Sequence, residues 1–126
     1  MAGGPQELMV WKKSMELCRE VGKILKKLPK KQQFELASQL SCSVQSVPSN
    51  IVEGHGRKST KQYIYFLNVA QGSNNEVQTQ LFLCEDMGYL EHKDLKKAIA
   101  LTYDVARLLH RLIKSLEDKI EQEKEN

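Results

Sequence analysis

Aromatic side chains are scarce in this chain: one Trp, three Phe and four Tyr, 6% of 126 residues. So few rings leave little for stacking on bases, and no RRM, KH or zinc-knuckle signature is present. Prolines number 3 and glycines 7, too few for a fold of many short strands joined by turns. The 3 cysteines (Cys18, Cys42, Cys84) are an odd count without a CxxC pair. Reduced thiols in a cytoplasm fit them better than a disulfide framework. Apolar runs extend only a few residues, so neither a membrane span nor a signal-peptide core is expected. HExxH, a P-loop and the ExxH of di-iron bundles are missing, and His55, His92 and His110 share no ligand spacing. Neighbouring acids such as Glu85-Asp86 diverge by about 100° on a helix. No catalysis, metal or cofactor is therefore expected.

What is present is helical periodicity. Leu8, Trp11, Met15, Cys18, Gly22 and Leu25 step by three and four, and Pro29 follows. A second series runs Phe34, Ala37, Leu40, Val44, Val47, Ile51, with Pro48 inside it predicting a kink near Val44. Ser59 with Gln62 has capping-box spacing and opens a third series, Tyr63, Leu67, Ala70, Asn74, Val77, Leu81, Cys84, closed by Gly88. The fourth comprises Leu95, Ile99, Thr102, Ala106, Leu109, Ile113, Leu116 and Ile120. The spacing predicts a loose terminus over 1–7, helices over about 8–28, 33–54, 60–87 and 94–120, and a fraying charged tail over 117–126. Four such helices with short turns imply an all-α, antiparallel up-down-up-down four-helix bundle at 8–116.

The first and last helices carry a second apolar stripe beside the main one. In the first it is Val10, Leu17, Val21, Ile24 and Leu28; in the last, Leu101, Val105, Leu108 and Leu112. Either the core face is broad, or these stripes merge into a subunit interface and the chain forms a homo-oligomer. The interface is the preferred reading, with Leu17, Val21, Ile24, Leu101, Val105, Leu108 and Leu112 as its residues.

Charge is unevenly spread. Residues 1–61 hold 11 Lys/Arg and 5 Asp/Glu, residues 62–126 hold 8 and 11, and the total is +3. Lys26, Lys27, Lys30 and Lys31 cluster without a nearby acid, more than helix-dipole complementarity requires. Arg57, Lys58 and Lys61 gather where a helix starts and free amides favour an anion. Both groups are candidate phosphate contacts. About 20 helical residues put them roughly 30 Å apart, well beyond the ~8 Å screening length. Assembly into a ring would pool like ends. Asn50, Glu53, Gly54 and Gly56 suit a helix end and turn between these features, with a structural role.

Three ordered stretches carry a family likeness: Ser49-Asn50-Ile51-Val52-Glu53-Gly54-His55-Gly56-Arg57-Lys58-Ser59, then Phe66-Leu67, then Ala70-Gln71-Gly72-Ser73-Asn74-Asn75-Glu76. Leu8-Met9-Val10-Trp11-Lys12-Lys13 and the stretch from Gln80-Leu81 to Gly88-Tyr89-Leu90 add to it. Together they resemble the four-helix-bundle family encoded within 23S rRNA intervening sequences. The resemblance implies a small bacterial protein of the cytoplasm, assembled as a homo-oligomer of five copies, without known catalysis. RNA or DNA, or a protein, would be its further partner. A distant likeness extends to the basic pentameric accessory protein of diversity-generating retroelements. Where the family has two arginines after Gln39-Leu40, this chain has Ser41-Cys42, so any contact made there in relatives is weaker or carried elsewhere. The motif also implies a polar layer, in which Asn50, Glu53, Asn74 and Glu76 are read as structural; Gly54, Gly56, Gly72 and Ser73 complete the structural family motif. Pairing the second and third helices about Arg57 would set Glu76 opposite Gln39, and Asn50 opposite Tyr65. Two function classes follow: a nucleic-acid-binding accessory protein, or a protein–protein scaffold.

Overall fold

A proline in the first turn, where no amide partner is lost, starts helix α1 at Pro5 and carries it to Lys27. The Glu7 carboxylate accepts the Gly4 amide, so the helix begins three residues before the first periodic leucine. At its other end Leu28 is extended (φ −68°, ψ 139°), as the residue before Pro29 must be. These facts come from a computed structural model describing residues 4–29 and 34–125. Helix α2 spans Phe34–His55, α3 Thr60–Asp86 and α4 His92–Glu125, and no strand occurs among the described residues.

Pro48 does not break α2. It cannot donate to the Val44 carbonyl, and that carbonyl instead accepts the Cys18 Sγ–H of α1 at 3.3 Å. Ser59 caps α3 by accepting the Gln62 amide at 3.1 Å. A left-handed Gly88 (φ 75°) ends the following turn, with Tyr89 N–H on Cys84 O (2.9 Å) and Gly88 N–H on Glu85 O (3.0 Å). That is the paired bonding of a Schellman stop. Past Glu117, α4 continues as helix to Glu125 where fraying was expected. Helix-favouring residues and pairs one turn apart, Lys114–Asp118 and Glu121–Lys124 at 3.5 Å each, support it.

Each helix packs on two others: α1 on α2 and α4, and α3 on α2 and α4, while the backbones of the diagonal pairs stay further apart. Contact partners step in opposite senses along neighbours. Lys27 meets Asp94 and Glu20 meets Lys97; Ser43 meets Glu76 and Ser46 meets Ser73; Asn74 meets Thr102 and Gln71 meets Ala106. The α2–α3 register lies one turn from the expected one, Glu76 facing Ser43 and not Gln39.

This square arrangement overturns the expected interface. Leu17, Val21, Ile24, Leu101, Val105 and Leu112 are buried within the single chain, and Leu108 is half-buried. A helix with two neighbours must bury an arc wider than one seam, and the flanking stripe lies at its centre. In α1 the roles are exchanged: Val10, Leu17, Val21, Ile24 and Leu28 form the core, and Leu8, Trp11, Met15, Cys18 and Leu25 line its edges half-buried. Phe34, taken as the start of the α2 seam, is 77% exposed. It stands at the helix end, a turn and a half before Leu40, the first buried residue of α2.

Candidate nucleic-acid interface

The turn from α2 to α3 holds the motif residues in structural roles. Gly54 lets the helices approach: a Cβ there would lie 2.8 Å from Phe66 Cβ and 2.9 Å from Tyr63 Cδ1. Neither Gly54 nor Gly56 has a positive φ, so the helix end expected at this glycine pair forms without a left-handed residue. Arg57 donates to the Glu53 carboxylate and lies over the Phe66 ring, 4.8 Å from its centroid. Its cation is thereby engaged locally. Lys58 and Lys61 are exposed, with no ion pair among the described residues.

A polar ladder joins α2 to α3. The Asn50 side-chain amide donates to Ser46 O and Oγ (2.8 and 2.9 Å), Ser46 Oγ bonds Ser73 Oγ (2.8 Å), and Ser43 Oγ donates to Glu76 (3.1 Å). On the other side of α3, buried Asn74 donates to Thr102 O at 2.9 Å. Gly72 has open space around it.

At the opposite end of the bundle, Lys26 and Lys27 are exposed, with Lys27 Nζ 3.5 Å from Asp94. Lys30 and Lys31 lie outside the described residues. The fold adds cations that sequence reasoning missed. Because α4 lies against α1, Lys12, Arg19, Lys23 and Lys26 on α1 adjoin Lys93, Lys96, Arg107, Arg111 and Lys114 on α4, each set at helical spacing and exposed. Over Pro5–Lys27 and residues 92–115 there are 12 Lys/Arg against 5 Asp/Glu, a net +7. Residues 34–86, carrying α2 and α3, hold 3 against 5, a net −2. Ion pairs on the basic face are long and exposed, from 3.3 Å (Arg107–Asp104) to 3.6 Å (Lys97–Glu20), and hold little energy. Lys12, Arg19, Lys26, Lys96 and Arg111 have no acidic partner among the described residues. The available signal was the adjacency of first and last helices in a bundle.

The α2–α3 face differs in kind. A groove of about 660 Å³ runs between these helices past Cys42, Ser43, Glu76 and Gln80. Gln80 is nine-tenths buried, yet its Oε1 has no partner among the described residues. Tyr65 (63% exposed) and Val69 stand out from α3 nearby.

Among the described residues no cluster of three His, Cys, Asp or Glu is placed to hold a metal, and no helix is long and apolar enough to cross a membrane. Burial pushes the Cys18 and Cys84 thiols above their ordinary pKa, although Arg19 partly opposes this at Cys18. Cys42 is exposed. A thiol reagent at pH 8 is expected to modify one cysteine quickly in the folded protein and all three in denaturant. Three equal fast rates would contradict the burial of Cys18 and Cys84.

The fold is that of a small four-helix bundle whose second helix ends in Asn-Ile-Val-Glu-Gly and meets the third along a serine-lined seam. The chain belongs to the 23S rRNA-intervening sequence protein family, whose model matches residues 6–111. It is similar to a crystal structure of a protein of unknown function from the S23 ribosomal protein family of Bacteroides thetaiotaomicron, with 25% identity and a TM-score of 0.80. That similarity covers 86% of this chain and 98% of the other. No curated protein matches.

Proposed function

We propose that the protein is a non-enzymatic accessory factor that binds RNA or DNA along the α1–α4 face of an up-down-up-down bundle. The observation that carries this reading is the net +7 over Pro5–Lys27 and residues 92–115, still +4 over α1 and α4 entire, against −2 over residues 34–86. Summed surface charge of this kind raises local polyanion concentration, and phosphate neutralisation releases counterions. Membership of a family described by 23S rRNA intervening sequences supports it. The cytoplasm suits three unpaired thiols. Arg57 serves the turn, with Lys58 and Lys61 secondary contacts, and Lys26 and Lys27 belong to the face. Filter binding of Lys12→Gln, Arg19→Gln and Arg111→Gln, singly and combined, tests it.

Self-association belongs on the other flank. The basic α1–α4 face repels its own copy, whereas α2–α3 is nearly neutral and exposes Tyr65 and Val69. The protein assembles there into a homo-oligomer, five copies being the number the family resemblance implies. Light scattering is expected to give a multiple of 14.4 kDa that falls toward 14.4 kDa in Val69→Glu. A wild-type mass of 14.4 kDa in dilute buffer refutes the assembly.

A further inference from the structure

Trp11 is the sole tryptophan of the chain. It lies half-buried on the outer edge of the α1 core, lining a cleft of about 400 Å³ with Met9, Met15 and Leu108. Lys12, Lys13, Arg19 and the Glu16 carboxylate complete the walls. Glu16 is engaged with Lys13 at 3.5 Å, which leaves Lys12 and Arg19 as the cations without an acidic partner among the described residues. The other aromatics stand differently. Phe66 is covered by Arg57, Tyr63 is buried, Phe34, Tyr65 and Phe82 stand on helices short of cations, and Tyr103, although exposed on α4, does not line the cleft.

An apolar recess with one ring, edged by two available cations and set within a basic face, has a definite complement. It matches a flat, apolar-faced group attached to an anionic backbone. A base in a duplex presents only its edge, so the group must come from an unpaired strand. We infer that the Trp11 cleft receives an unpaired base of single-stranded RNA or DNA, with the indole as stacking surface and Lys12 and Arg19 on the flanking phosphates. The inference rests on the nucleic-acid reading above and deepens it: electrostatics brings the strand to α1–α4, and the cleft selects single strands over duplex.

The test uses the full chain at 50 mM salt. Probes are a 15-nucleotide oligothymidine DNA, an oligouridine RNA, an abasic DNA of equal length and a 15-base-pair duplex, each end-labelled. Label anisotropy reports binding, and the emission of Trp11 reports the cleft. A saturable quench of Trp11 is expected with the thymidine or uridine strand, the stronger of the two showing which sugar is preferred. The abasic strand should bind about 5- to 150-fold more weakly than its base-bearing counterpart, the range that one stacked base supplies. Trp11→Ala should erase that difference and leave abasic affinity unchanged, while Trp11→Phe keeps most of it. Comparing strands on the wild-type protein needs no variant, so a misfolded Trp11→Ala does not remove the test. Equal affinity for abasic, base-bearing and duplex probes with unchanged emission overturns the cleft and leaves electrostatic binding standing. If no probe binds, both readings fall.

Discussion

Gly54→Ala is expected to destabilise the bundle by about 1–3 kcal/mol, the usual penalty for overpacking a tight contact. The new methyl carbon would sit 2.8 Å from Phe66 Cβ, 2.9 Å from Tyr63 Cδ1 and 3.1 Å from the Tyr63 carbonyl oxygen. Two of these three atoms are fixed by the α3 backbone, so relief requires the helices to part and not merely a rotamer to change. A chain of this size loses on the order of 4 °C in Tm per kcal/mol. Gly22→Ala is the matched control, because nothing lies within 4 Å of its added carbon. There the helix gains about 0.5–1 kcal/mol through lower backbone entropy in the unfolded chain. Thermal unfolding of both variants by circular dichroism should give shifts of opposite sign. A rise in Tm for Gly54→Ala would refute the close approach of α2 and α3.

The largest change in affinity is expected from salt. If the five unpartnered cations Lys12, Arg19, Lys26, Lys96 and Arg111 each neutralise one phosphate of a single strand, the log–log salt slope is about −3.5. Raising salt from 50 to 200 mM then weakens binding about 100-fold. Combining Lys12→Gln, Arg19→Gln and Arg111→Gln should flatten the slope by about 2. Neutralising Lys58 and Lys61 on the far turn should change it less, as they adjoin a face of net −2. These positions are exposed, so folding is expected to be unaffected, and circular dichroism checks it. A slope near zero, or one insensitive to the triple substitution, removes the α1–α4 face from consideration.

The helices were legible because three-four spacing, Ser59, Gly88 and Pro29 are local signals that the backbone obeys without knowing its neighbours. The α3 seam from Tyr63 to Cys84 was also legible, including polar Asn74, which is buried and bonded to Thr102. Periodicity gives the direction of an apolar arc but not which of two adjacent stripes is central. Leu17, Val21 and Ile24 were therefore set on a surface when they are core. Local signals mark Arg57 as a phosphate candidate, but they do not reveal Phe66, nine residues later, lying beneath it. The basic face was harder to see. Its two halves lie about 70 residues apart, and in any running count the α4 cations are cancelled by the acids of Glu117–Glu125.

A body charged along one flank and nearly neutral along the opposite one experiences a torque as it nears a polyanion, and so arrives already turned. Molecules lined up on a strand in this way would all point their serine-lined α2–α3 sides outward. Each bound copy would then display, away from the strand, the surface proposed to recruit the next.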